Sequence, residues 1–367
     1  MSAVPGNAGV GGARTDAVAS RHLLSLRDLS SETWHGLLAD AERLSGPDGR
    51  RPWLAGRRAA MLFFNPSLRT RTAFEVACHD LGAHAVSLQS GAPGAGNTWA
   101  FEHRDGVVMD GAAAEHVKEA IGTLGRMVDL LGVRAFAGLT DAADDARDPL
   151  LAAIARASSV PVLNLESAMD HPHQGLADAL ALRRAQGDAA RPTRSRVVVS
   201  WAPHVKPLPL AVPHAALLAF AHEGHDVLLA HPEGYSPDEG VLAAAARLAS
   251  AAGGSLDVTH DRRAALASAD AVYVKAWGSR EHYGDTAAAV AGLAERRDWM
   301  LTAADLGRAF FLHCLPVRRN VVVADDVLDG DRSLVFEQAA ARLHVQKATL
   351  CRALDRPLTD VPDGDSP

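Results

Sequence analysis

Short apolar runs of strand length alternate with stretches whose apolar residues recur at helical spacing, and few folds accept that rhythm. Runs at 59–64, 84–88, 132–136 and 160–165 read as strands of one series, and runs at 196–200, 226–230, 255–258, 271–275 and 310–314 as strands of a second. Between them, helices are expected from Phe74 to a stop at Gly82, and over 114–131, 150–157, 212–222 and 240–251. Ser30-Ser31-Glu32-Thr33 caps an earlier helix, and a last helix covers 336–354. Residues 141–148 read as an acidic, solvated segment. Alternating β and α units imply mostly parallel, doubly wound sheets, so the fold class is α/β. A chain of 367 residues has room for two such domains. Ligands of these sheets bind beyond the carboxyl ends of the strands, where Trp201 to His204, Lys275 to Gly278 and His313 to Pro316 cluster.

Composition narrows the function. Hydrophobic residues at 48% support sizeable cores, and charged residues at 22% suit a soluble globular protein. A net charge of -7 gives a nucleic-acid partner no electrostatic support. An anionic substrate would need a local arginine cluster working against the overall field. Cys78, Cys314 and Cys351 are too few and too scattered for a disulfide framework or a metal site. Residues 1–20 are rich in Gly and Ala without an apolar core, which reads as a disordered tail rather than a signal peptide. No apolar run approaches a membrane span, and the cytoplasm is the expected compartment.

The chemistry gathers where the first strand meets its helix, at Phe63-Phe64-Asn65-Pro66-Ser67-Leu68-Arg69-Thr70-Arg71-Thr72. Pro66 bars Asn65 from helical geometry and ends the strand, and Ser67 is a candidate helix cap. A helix start aims free backbone N–H groups and a positive dipole end at one point. Two hydroxyls with Arg69 and Arg71 make that point a site for a doubly charged phosphate. Further on, His171 and Gln174 are one helical turn apart and face the same way. His313 beside Cys314 suggests a thiolate nucleophile, but neighbours on a strand point to opposite faces, and that reading is rejected.

Ser67-Leu68-Arg69-Thr70-Arg71 resembles the carbamoyl-phosphate signature of the aspartate/ornithine carbamoyltransferase family, and the similarity runs from about Leu24 to Leu354. The resemblance implies two α/β domains with the active site in the cleft between them. Residues 21–166 with 337–356 would bind carbamoyl phosphate, residues 167–336 would bind the amine, and 357–367 would form a flexible tail. It assigns carbamoyl phosphate to Ser67, Leu68, Arg69, Thr70, Arg134, His171, Gln174, Cys314, Leu315 and Arg342, with Arg134, His171 and Gln174 catalytic. It implies no cofactor, no metal and a homotrimer in which Trp99 crosses to cover a neighbour's site, whereas the sequence by itself favours a tryptophan packed on its own domain. It also implies a trefoil knot, with the chain after about Lys275 threaded through the loop that carries Pro203, Pro207, Pro209 and Pro213.

His313-Cys314-Leu315-Pro316 is of the ornithine type, whereas Val274-Lys275-Ala276-Trp277-Gly278 lacks the acid that grips a free α-ammonium. The resemblance is therefore nearest to enzymes acting on N-acylornithines, in which Glu166, His204, Lys275, Pro316 and Arg318 bind the acylated substrate. Acetylornithine enzymes carry a glutamate where this chain has Ala114. Its replacement removes a like charge and favours N-succinylornithine, which has an extra carboxylate. The expected role is a carbamoyl transfer in arginine biosynthesis. The alternatives are another ornithine-like amine, or a silent relative kept as a regulatory subunit.

Overall fold

The structure is a computed structural model that describes residues 21–90, 101–111, 113–187, 193–356 and 358. Its first part contains α1 (Ser31–Arg43), β1 (Arg58–Phe63), α2 (Arg69–Asp80), β2 (His84–Gln89), β3 (Phe101–Glu102), β4 (Glu115–His116), α3 (Val117–Leu124), β5 (Leu130–Arg134), α4 (Ala142–Arg147), α5 (Pro149–Ala157) and β6 (Val162–Glu166). Then follow α6 (Pro172–Ala185), β7 (Arg196–Trp201), α7 (Ala211–His222), β8 (Asp226–Ala230), α8 (Glu239–Ala251), β9 (Ser255–Thr259), α9 (Arg262–Leu266) and β10 (Ala271–Lys275). The chain continues through α10 (Thr286–Ala294), α11 (Ala303–Leu306), β11 (Phe310–Leu312), α12 (Asp325–Leu328) and α13 (Val335–Ala353).

Two parallel sheets form, in the orders β2-β1-β5-β6 and β11-β10-β7-β8-β9. Their central strands are buried on both faces, which is why they read as continuous apolar runs rather than alternating ones. Register carries function here. Phe63 pairs with Arg134, and Arg134 with Glu166, so the carboxyl ends of β1, β5 and β6 finish level. In the second sheet Lys275 lies opposite Trp201.

Several local expectations need correction. The helix expected over 114–131 is confined to α3, because the apolar run from Leu130 joins the sheet beside β1. The acidic segment at 141–148 is a helix, α4, and Asp141 caps it by accepting from the N–H groups of Ala143 and Asp144. Ser67 does not cap α2: the N-cap position is Leu68, with no side-chain bond. The turn after Pro66 starts the helix one residue later, so the Ser67 hydroxyl is not spent inside it. Gly82, at φ 74°, does end that helix.

Several contacts join the halves, among them two buried polar clusters. Glu223, after α7, accepts from Trp34 Nε1 of α1 at 2.6 Å and from Arg183 of α6, and the Trp34 ring stacks on His222 at 4.6 Å. Helix α13 returns to the first half, where Lys347 Nζ donates to Gly49 O at 2.7 Å and lies 2.6 Å from Asp80. Near the proline-rich loop, Gly278 N donates to Leu208 O at 3.0 Å, and a Cβ at Gly278 would come within 2.9 Å of Pro207 Cβ.

Candidate active site

The carboxyl ends of both sheets open on one cavity of about 590 Å³. Its walls bring together Ser67, Leu68, Arg69, Thr70, Arg134, Glu166, His171, Gln174, His204, Lys275, Cys314, Leu315, Pro316, Arg318 and Arg342, which the sequence scatters from the first sheet to the last helix. Ala114 is exposed and is not among the lining residues, and Trp99 lies outside the described residues. A wider groove of about 1060 Å³ between the two terminal segments holds none of these groups, and its charges answer one another, as in Arg21 with Asp355.

The cationic wall is built from three elements. Arg134, at the end of β5, donates through Nη1 to Thr70 Oγ1 at 3.1 Å and to Glu166 Oε2 at 2.6 Å. Arg342, buried on α13, donates to the same threonine hydroxyl. Arg69 opens α2, beside the free N–H groups of its first turn. Arg71, expected to share the work, does not line the cavity. Its guanidinium stacks over Phe63 at 4.5 Å and bonds Gln89 at 2.6 Å, because residues two apart on a helix do not share a face.

The Nε atoms of Arg69, Arg134 and Arg342 are buried without a hydrogen-bond partner among the described residues. Burial, with the charge of Arg134 next, pushes Arg342 down to about 10. Desolvation likewise lowers Arg69. Glu166 and Lys275 complete the set of charges near them, leaving the wall with an excess of positive charge. Such an arrangement is stabilised by a multiply charged anion.

His171 N-caps α6 and is held well below its usual range by burial and then by Arg342 and Arg134, so it is a neutral imidazole. Its Nε2 lies 3.5 Å from Glu166 Oε2, and its Nδ1 is unpaired. Gln174 donates to Asp178 at 2.6 Å, and its Oε1 is unpaired. Burial pushes the Cys314 thiol up, and desolvation holds His313 well below its usual range, its Nδ1 accepting from Leu315 N at 2.9 Å. No thiolate–imidazolium pair forms, although the strand expected over 310–314 ends at Leu312 and leaves His313 and Cys314 beyond it. At the far end Arg318 Nε donates to His204 Nε2 at 3.2 Å.

Asp178 and Gln338 stand directly behind the wall and escaped the sequence reading. Asp178 lies four residues after Gln174 on one helix, a spacing that could have linked them. Among the described residues no group of three or more His, Cys, Asp or Glu side chains is placed to hold a metal ion, and no helix is long and apolar enough to cross a membrane.

Two doubly wound sheets with an arginine-walled recess between their carboxyl ends define an α/β protein built to hold an anionic ligand. The chain belongs to the aspartate/ornithine carbamoyltransferase family. Residues 21–184 match the model of its carbamoyl-P binding domain, and residues 211–353 that of its Asp/Orn binding domain. The N-acetylornithine carbamoyltransferase of Xanthomonas campestris pv. campestris is 39% identical over 338 residues, which cover 90% of this chain and 96% of that one. The N-succinylornithine carbamoyltransferase of Bacteroides thetaiotaomicron is 35% identical, over 77% of this chain and 82% of its own. A solved acetylornithine transcarbamylase complexed with acetylcitrulline superposes with a TM-score of 0.85 at 39% identity, covering 90% of this chain and 98% of that chain. Variants of N-acetyl-L-ornithine transcarbamylase with one glutamate replaced by proline, serine or alanine have been solved with carbamyl phosphate and N-succinyl-L-norvaline.

Proposed function

We propose that this chain transfers the carbamoyl group of carbamoyl phosphate to the side-chain amine of an N-acylornithine. The observation that carries the reading is the set of unpaired guanidinium Nε atoms of Arg69, Arg134 and Arg342 around one recess. The phosphate sits against Arg69, Arg342, Ser67 and the first-turn N–H groups of α2. Arg134 and neutral His171 donate to the carbamoyl oxygen, where negative charge grows. Gln174 Oε1 accepts from the carbamoyl NH2. The uncharged amine attacks the carbonyl carbon, the bond from that carbon to the phosphate oxygen breaks, and the leaving phosphate takes the amine proton. The products are N-acylcitrulline and phosphate. Arg134 must release Glu166 on the way, which frees that carboxylate for the acylated amine.

The acyl group we assign is succinyl. A small neutral residue at 114 removes the like charge that a second carboxylate would meet, and the succinyl-norvaline complexes of glutamate-replaced relatives support the same logic. Ala114 is exposed and off its own chain's cavity, so as an acyl selector it serves a neighbouring copy. That agrees with a homotrimer in which Trp99 also crosses over. Arginine biosynthesis in the cytoplasm is the accompanying assignment, and the Gly278–Leu208 bond supports threading of the proline-rich loop.

The test is the ratio of kcat/KM for N-succinylornithine and N-acetylornithine, read as ureido product formed from carbamoyl phosphate. Wild type should favour the succinyl compound, and Ala114→Glu should erase or reverse that preference. Two negative charges about 4 Å apart at an effective dielectric near 20 repel by roughly 4 kcal/mol. A third of that shifts the ratio about tenfold. No product with either amine ends the N-acylornithine reading. A ratio that already favours acetyl, or does not move with glutamate, ends only the succinyl one.

A further inference from the structure

Asp178 is wholly buried on α6, and its Oδ1 accepts from two side-chain amides at once. Gln174 Nε2 donates to it at 2.6 Å, and Gln338 Nε2, from α13, also at 2.6 Å. An amide side chain can turn over and exchange its oxygen for its nitrogen. Here an ionised Asp178 opposes it, because turning would set two oxygens at hydrogen-bond distance with no proton between them. The consequence for Gln174 is that its nitrogen is tied behind the wall while Oε1, buried and unpaired, is left to the cavity. The consequence for Gln338 is that its Oε1 accepts from His313 N at 3.0 Å, which draws His313 out of the β11 ladder. The next residues, Cys314 and Leu315, line the cavity, and Leu315 is held at φ 52°, a conformation that a non-glycine residue keeps only when its surroundings impose it.

We propose that Asp178 makes the site selective for an acyl phosphate bearing an NH2 group, by fixing Gln174 and the backbone at 313–315 so that acceptors alone face the acyl substituent. It is a positioning residue and touches no substrate. The inference rests on the carbamoyl phosphate reading above and adds what discriminates that ligand from an acyl phosphate with a methyl group in place of the amide. A methyl group there leaves the acceptors of the wall unpaired in a buried place, and such losses are what polar sites discriminate by. Burial pushes the Asp178 acid up to about 7, yet the arrangement survives its protonation. A proton would sit on Oδ2, since Oδ1 is already taken by two donors, and Oδ1 remains an acceptor.

Two phosphonates differing in that one group, phosphonoacetamide and 2-oxopropylphosphonate, supply the test as inhibitors competing with carbamoyl phosphate, with inorganic phosphate as control. Wild type should prefer the amide about tenfold. Asp178→Ala should bring the two inhibition constants within about twofold while that of inorganic phosphate stays within about threefold. Asp178→Asn, with an acceptor oxygen in the same place, should restore most of the preference. Unchanged preference in Asp178→Ala overturns the proposal, as does an asparagine no better than alanine, or a parallel loss of inorganic phosphate binding. Should the alanine variant not fold, Gln338→Leu loosens the 313–315 half alone and should lower the preference, and an unchanged value there overturns the proposal equally. A wild type with no preference defeats the carbamoyl reading itself, whereas a preferring wild type with unmoved variants defeats only the role of Asp178.

Discussion

Thr70 carries one hydroxyl, and two guanidinium groups donate to it from well-separated parts of the chain, Arg134 and Arg342. Arg69, next to it, keeps an unpaired Nε. The difference sets what each substitution does: removing Thr70 disturbs the wall, while removing Arg69 chiefly removes a bond to the ligand. Arg69→Ala should cost about 2–4 kcal/mol of transition-state stabilisation, read as kcat/KM at limiting carbamoyl phosphate. Near-normal turnover would remove Arg69 from the site. If Trp99 crosses to a neighbouring copy as proposed, refolding Arg69→Ala chains together with Trp99→Ala chains should recover activity, and no recovery would mean that each site comes from one chain. At this scale most of the cavity wall was legible, since a motif such as Ser67 to Thr70 names its residues directly. Arg71 was misread because side-chain direction depends on helical phase rather than on nearness in sequence. Asp178 was passed over for another reason: despite its spacing from Gln174, an aspartate inside a helix reads as surface until its two amide partners are seen to be buried with it.

Among elements, α1, α6 and α7 meet at Glu223, a carboxylate whose side chain is 0% exposed against 3% for Arg183. Removing one partner of a buried ion pair strands the other charge away from water. Glu223→Ala should therefore destabilise the fold by about 3–5 kcal/mol, seen as a lower midpoint in urea. A midpoint within error of wild type would show that Arg183 finds an equivalent acceptor. Strand assignments from sequence held closely, because a continuous apolar run of five or six residues has little choice but a parallel sheet. The α3 boundary failed because Leu130 and Leu131 fit a helix face and a buried strand equally well, and the neighbouring β1 decides between them. Nothing in the local sequence reports a neighbour more than sixty residues away.

Across the whole molecule, buried neutral histidines tie stability to pH. Burial holds His173 down to about 3 and His214 to about 4. Each folded value lies below the ordinary 6.5, so the unfolded chain binds the extra proton, and stability present above about 6.5 is lost as pH falls towards 4. Asp170, pushed up to about 7 by burial, acts with the opposite sign, stabilising at low pH and losing that contribution as pH rises towards 7. The clean measurement is a difference. Between pH 4.5 and 6.5 the stability of wild type should change by about 1.4 kcal/mol per pH unit more steeply than that of His214→Gln. Parallel curves would place the His214 proton equilibrium at its ordinary value in the fold. The two-sheet architecture was legible at this scale from alternation alone, and the return of the last helix was foreseen only as packing. Its contribution of Gln338 to the loop at 313–315 depends on three-dimensional placement that no periodicity encodes.

Helix α13 leaves the ribosome after every other described element, and it brings Arg342 and Gln338 to a recess whose remaining walls were translated earlier. A nascent chain thus carries an arginine cluster that is one member short, and a 313–315 backbone without its bond to Gln338. Until that helix arrives, the recess lacks both the Arg342 guanidinium and the Gln338 bond to His313.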